Sequence, residues 1–213
     1  MHVPATDNDI FAILIHPGFG TFLPVIIESG LHYSTVQAQY LTIPVYIWGT
    51  IIYFIVASLS DRFSNRFLPL ILSAPFTMCG YAILLSTAPP AGVKYFATFL
   101  VATGCYICAG INFSWLAANS APDGKRAASV GVQQTVAQLA GVVAGQIYAA
   151  DTAPRYTLGH AWSLGSMVVA WCGWWVYRWI LRRREAEKED IRRRGLVYEA
   201  VWDDRAPDFR YQL

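Results

Sequence analysis

Between Phe67 and Pro122 the sequence holds a single charged residue, Lys94. A water-soluble fold cannot keep so long a run without a charged, solvated face. The whole chain agrees with this reading: 55% is hydrophobic and only 14% charged, where soluble domains run near about 25% charged. A bilayer core needs roughly 20 apolar residues as helix. Six stretches meet or approach that length: 10–27, 39–59, 67–87, 95–118, 127–150 and 159–181. Backbone groups in lipid need partners inside the structure, so these segments are expected to be helices. The alternating ten-residue runs of a membrane β-barrel do not occur. The expected fold class is therefore an all-α membrane protein with six transmembrane helices and a polar tail over 182–213.

The connectors are short and carry turn signals. Ser60–Arg66 is a charged turn, Pro89, Pro90 and Gly92 stop a helix, and Pro122-Asp123-Gly124 marks another turn. Of the 16 Lys and Arg residues, only Lys94 and Arg155 fall on connectors of one side. The others sit in the 60–66 turn, the 120–126 turn, and the end of the last span with its tail. That bias predicts that both turns, the tail and, with six spans, the amino terminus are cytoplasmic. Met1–Asp9 has two Asp and no Lys or Arg, which does not fit the positive start of a signal peptide. Trp171, Trp174, Trp175, Tyr177 and Trp179 precede the arginines and read as a membrane anchor at headgroup level. The tail alternates base and acid and reads as a solvated extension. Glu189 with Arg193, and Asp190 with Arg194, have the i, i+4 spacing of helical ion pairs.

Classes of chemistry can be set aside in turn. A net charge of +2 gives no footprint for nucleic acid. Cys105 and Cys108 form a C-x-x-C spacing, but they lie in an apolar stretch without a basic neighbour and read as packing residues. The histidines His2, His16, His32 and His160 have no metal-ligand spacing, and no cofactor motif occurs. An intramembrane enzyme would need a G-x-S-x-G, paired carboxylates or a metal cluster in the spans, and there is none.

The most informative turn is Ala57-Ser58-Leu59-Ser60-Asp61-Arg62-Phe63-Ser64-Asn65-Arg66. It resembles the cytoplasmic signature of the major facilitator superfamily: a small residue, three residues, Asp-Arg, any residue, Gly, then two basic residues. Ala57, Asp61, Arg62 and Arg66 match. Ser64 stands where Gly is usual, and Asn65 replaces one basic residue. Gly110-Ile111-Asn112-Phe113-Ser114-Trp115 with Asn119, the glutamines Gln133, Gln134 and Gln138, and a final Pro207-Asp208-Phe209-Arg210-Tyr211 extend the likeness over nearly the whole chain. Together they resemble the carboxyl-terminal half, helices seven to twelve, of a fungal anion:cation symporter near the allantoate and nicotinate permease branch. That resemblance implies alternating-access transport of a small organic anion, a carboxylate, vitamin or ureide-like solute, with a proton as candidate coupling ion. It also implies an amino-terminal six-helix half or another half as partner, a plasma-membrane location, and a gating role for Asp61, Arg62 and Arg66.

Polar residues inside the spans are the cavity candidates. Asn112, Trp115 and Asn119 are spaced to share one helix face, as are Gln134 and Gln138. An amide in lipid needs a partner, which is either a neighbouring helix or a wet cavity. Tyr46 and Tyr53 lie two turns apart, and His16 sits beside Pro17 and Gly18, where it either relays protons or bonds a freed carbonyl. Ala137, Gly141, Gly145 and Ala149 form a small-residue stripe suited to close helix packing. Well inside the spans no acidic or basic side chain occurs, apart from Arg178 near one end, so any intramembrane charge must come from elsewhere. The alternative to transport is a truncated remnant or an interaction partner.

Overall fold

The computed structural model describes residues 23, 27, 28, 34–86, 89–147, 156–194, 206 and 209–212. These residues hold five helices: α1 (Thr35–Phe63), α2 (Phe67–Leu85), α3 (Ala91–Ala118), α4 (Asp123–Ile147) and α5 (Thr157–Arg193). The first expected span, 10–27, lies outside the described residues except for Leu23 and Ile27, both fully buried. Three helices, α1, α2 and α3, are long and apolar enough to cross a membrane. α4 and α5 run through the stretches expected at 127–150 and 159–181 but are more polar: α4 carries four glutamines and α5 ends in arginines.

Local chemistry sets the helix ends. α1 starts four residues before the expected span because Ser34 and Gln37 form a reciprocal capping box. Pro90 stands just outside α3, where its missing N–H costs nothing. α1 ends on Ser64 in the left-handed region, at φ 49°. The usual Gly at this signature position has a plain cause, since only Gly takes that conformation without a steric cost. Asn65 then accepts from the Leu68 N–H at 3.0 Å, satisfying a donor of the first turn of α2.

α3 is the centre of the bundle. It packs against α1 on one side and α2 on the other, and α2 also packs on α5. Close backbone approach makes this possible. A Cβ on Gly104 would run into Thr77 and come within 2.8 Å of the Ser73 carbonyl. A Cβ on Gly49 would lie 2.8 Å from the Tyr106 ring, and one on Gly110 would meet Tyr53. Among the described residues α4 touches α3 and α5 only lightly. The outer faces are apolar: Ile43, Ile47, Ile51, Phe54 and Ile55 of α1 are all exposed. So large an unpartnered apolar face suits lipid, not water.

Two expectations change at the carboxyl-terminal end. The aromatic cluster of α5 is not one anchor. Trp174 and Tyr177 are buried in the core, whereas Trp175 and Trp179 face out. Arg183 stacks over Trp179 at 3.7 Å. Nor is the tail simply a solvated extension. α5 has 37 residues, about 55 Å of helix, so it projects well beyond a core of roughly 30 Å. Ion pairs hold the projecting part: Arg192 with Glu185 at 3.0 Å, Arg193 with Glu189 at 3.4 Å, and Arg194 with Asp190 at 2.7 Å. The last two are the i, i+4 pairs expected from the spacing. Beyond it, Phe209–Gln212 returns to the helices.

Candidate functional site

The three basic segments meet at one end of the bundle. Phe67, at the start of α2, lies 5.9 Å from the Trp115 ring of α3 and 4.9 Å from the Trp175 ring of α5. The Arg178 guanidinium covers the Phe67 ring at 3.9 Å, an arrangement in which aromatic faces attract a cation. Nearby, Arg126 donates to the Ala117 carbonyl at 2.9 Å and the Ser120 carbonyl at 3.2 Å. It thereby satisfies carbonyls that the end of α3 leaves open. Its other end pairs with Asp123 at 3.2 Å.

In the α1–α2 turn, Arg66 reaches Asp61 at 3.4 Å. Ser60 donates to the Asn65 carbonyl at 3.0 Å, and the Asn65 N–H returns to the Ser60 carbonyl at 3.2 Å. The pairing is local to the turn. Asp61 and Arg62 are exposed, which leaves their outer faces open.

The polar candidates separate into two groups. Asn112 is 2% exposed and accepts from the Trp174 indole of α5 at 2.9 Å. Trp115, also buried, donates to the Gln212 carbonyl at 2.8 Å. Asn119 bonds both main-chain groups of Gln212, donating to its carbonyl at 3.2 Å and accepting from its N–H at 2.8 Å. These three side chains thus bond α5 and the returning tail in this structure. Trp174 and Gln212 lie far away in sequence, so the spacing on α3 gave no sign of them. By contrast, Gln134 and Gln138 on α4 are exposed. Next to them Gln133, not among the expected cavity residues, is 2% exposed, and its side-chain oxygen has no hydrogen-bond partner among the described residues. Its burial was not legible from composition.

Tyr46 is half-buried in the cluster around Val45, Tyr81 and Val101, and Tyr53 fills the space beside Gly110. Both side chains pack against neighbouring helices there. His16 lies outside the described residues. The cysteines are free. Cys108 lies 3.5 Å from the Ser73 hydroxyl, as a small core residue would. No group of three His, Cys, Asp or Glu able to hold a metal occurs among the described residues.

A cavity of about 710 Å³ opens between α1 and α2, lined by Val56, Leu59, Phe63, Leu72 and Phe76, with Ser60 and Asn65 at the turn end. It has no basic side chain to hold an anion, and none of the expected cavity residues lines it.

A family model described as Major Facilitator Superfamily matches residues 10–145. The chain belongs to the major facilitator superfamily. It is thus part of a family of multi-pass membrane transporters, not of enzymes. An uncharacterized transporter of Schizosaccharomyces pombe is 42% identical over 213 residues, which is 100% of this chain and 42% of the relative. The high-affinity nicotinic acid transporter of Saccharomyces cerevisiae is 34% identical over 201 residues, covering 91% of this chain and 37% of its own length. A major facilitator-type transporter of Emericella nidulans is 30% identical over 203 residues, covering 90% of this chain and 40% of its own. The chain spans about two fifths of the length of these major facilitator relatives. No solved structure matches.

Proposed function

We propose that this chain forms a six-helix half of a secondary transporter that carries a small organic anion by alternating access, with the polar face of α4 as part of the cavity wall. The observation that carries the reading is that face: Gln134 and Gln138 are exposed, on a helix that among the described residues is only lightly packed by its neighbours. Exposing amides to hydrocarbon is costly, so the face calls for protein or water. In transporters built from paired repeats the substrate lies between the halves. Gln133, with its unpartnered oxygen, joins Gln134, Gln138 and His16 as a candidate, and Tyr46 stays a candidate from the resemblance. Nicotinic acid, named for the yeast relative, is a small aromatic carboxylate. An aromatic monocarboxylate is the substrate class we favour, with a proton as coupling ion.

In this reading the arginine-rich end is cytoplasmic and the membrane is the plasma membrane. A cysteine placed at Arg155 is then labelled by an impermeant reagent in intact cells and one at Lys125 is not. The reverse pattern contradicts the orientation. The Asp61–Arg62–Arg66 turn acts on the balance of states: Asp61→Asn slows transport and leaves equilibrium binding nearly intact. The deciding experiment is uptake of labelled nicotinate and a panel of small carboxylates in cells. Cells express this chain alone or with the amino-terminal half of a relative. Gradient-dependent uptake is expected only with both halves, and Gln138→Leu lowers it about tenfold, the equivalent of one lost polar contact. Uptake by the chain alone, or none by the pair with any carboxylate, overturns the proposal.

A further inference from the structure

The returning tail makes bonds of a kind that a loose extension does not. The Asn119 side chain pairs with both main-chain groups of Gln212, as one strand residue pairs with another, at 2.8 and 3.2 Å. Trp115 adds a second donor to the same carbonyl at 2.8 Å. On α5, Glu185 accepts from the Tyr211 N–H at 3.2 Å, and Lys188 donates to the Phe209 carbonyl at 2.9 Å. The Lys188 ammonium also lies 3.9 Å from the Tyr211 ring and 5.0 Å from the Phe209 ring. Lys188 is 5% exposed, Asn119 4% and Trp115 1%. A buried ammonium, amide and indole each need a partner, and here Gln212, Phe209 and Tyr211 supply partners to all three.

We propose that Trp115, Asn119, Glu185 and Lys188 form a binding site for the chain's own carboxyl-terminal peptide, Phe209–Gln212. Main-chain pairing at Asn119 gives affinity with little regard to the side chain at 212. The two rings around Lys188 give selectivity, because a cation between aromatic faces accepts few substitutes. The occupant is seated in the site, and the site is complete only with it. Docking ties the end of α3 to the projecting half of α5, so these two elements are joined at the arginine-rich end. It stands apart from the transport reading, because it concerns how this chain binds its own tail, and it is read without any uptake measurement.

The test uses the full chain in lipid nanodiscs and trypsin cleavage after Arg210, followed as the loss of Tyr211–Leu213 by intact mass. Arg210 is exposed, but a protease needs the local chain freed before it can cut. Rates are normalised to those of free peptides of the same sequence. We expect Asn119→Ala and Gln212→Pro to be cut roughly fivefold to tenfold faster than the unmodified chain, each having lost bonds of ordinary strength. Glu187→Ala, on an exposed position of the same helix, should match the unmodified chain. Gln212→Pro removes the N–H given to Asn119 without touching a helix, so its result does not depend on how well the Asn119 variant folds. Equal normalised rates for the unmodified chain and Gln212→Pro overturn the proposal.

Discussion

α3 with its cap and α4 both carry side-chain amides, and the structure treats them in opposite ways. On α3, Asn112 and Asn119 are buried and bonded to Trp174 and Gln212. On α4, Gln134 and Gln138 are exposed, and Gln133 is buried with an unpartnered oxygen. The comparison teaches that amide content alone does not mark a transport cavity. An amide that has found an indole or a peptide group already has the partner that lipid withholds. One without such a partner implies that something else, protein or water, covers it.

The largest expected difference between the two helices is in packing. Gly104→Ala pushes a methyl into Thr77 and the Ser73 carbonyl and should cost about 2 kcal/mol, the usual range for overpacking. Gly131→Ala on α4 meets nothing within 4 Å and should stay within about 0.5 kcal/mol of the unmodified chain. Thermal unfolding in detergent measures both. If Gly104→Ala is silent, α3 is not the packed centre described here.

The amides themselves give the next effect. Asn112→Leu leaves the Trp174 indole without its acceptor and should cost about 1 kcal/mol. Gln138→Leu should cost nothing measurable in the isolated chain and act on transport instead. A stability loss as large for Gln138→Leu would erase the distinction.

Smaller effects come from segments at the bundle ends. Ser64→Gly relieves a left-handed residue and should stabilise by about 0.5 kcal/mol, the steric gain partly offset by chain entropy. The last effect is on pH. Hydrogen bonds from Arg192 and then Arg193 hold the Glu189 carboxyl below its usual value of 4.5. A depressed folded-state value means that the contribution is present above about 4.5, the unfolded value, and is lost as pH falls through the depressed one. The protection factor of the amides in residues 185–193, with the intrinsic pH dependence of exchange divided out, should therefore fall on acidification below that point and stay constant between pH 6 and 8. A change confined to the neutral range would contradict the assignment.

Much of this architecture was legible in the sequence because long apolar runs dictate helices in lipid. Five of the expected stretches lie almost wholly within described helices. Pro89 and Pro90 marked the start of α3, and the Asp61-Arg62 turn pointed to the superfamily. What was not legible depends on distant pairing. Residues 182–193 looked solvated because Glu and Arg alternate there, and that alternation is also what pairs Glu189 with Arg193 along a helix. The Asn119–Gln212 contact joins a side chain to a backbone 93 residues away, which no local period can reveal. Gly49, Gly80, Gly104 and Gly110 carry close contacts among α1, α2 and α3, and their spacing follows no regular stripe.

The central claim is that the α4 amides face a wet, solute-bearing space while the α3 amides are structural. It is tested most directly by single cysteines at Gln134, Gln138 and Asn112. The background has Cys79, Cys105, Cys108 and Cys172 replaced by alanine, and the chain is assembled with an amino-terminal six-helix half. The account predicts that an impermeant, water-soluble thiol reagent modifies the cysteines at 134 and 138, that nicotinate slows this modification, and that the cysteine at 112 stays unmodified. Modification at 112 under the same conditions, or labelling at 134 and 138 only by a lipid-soluble reagent, would contradict it.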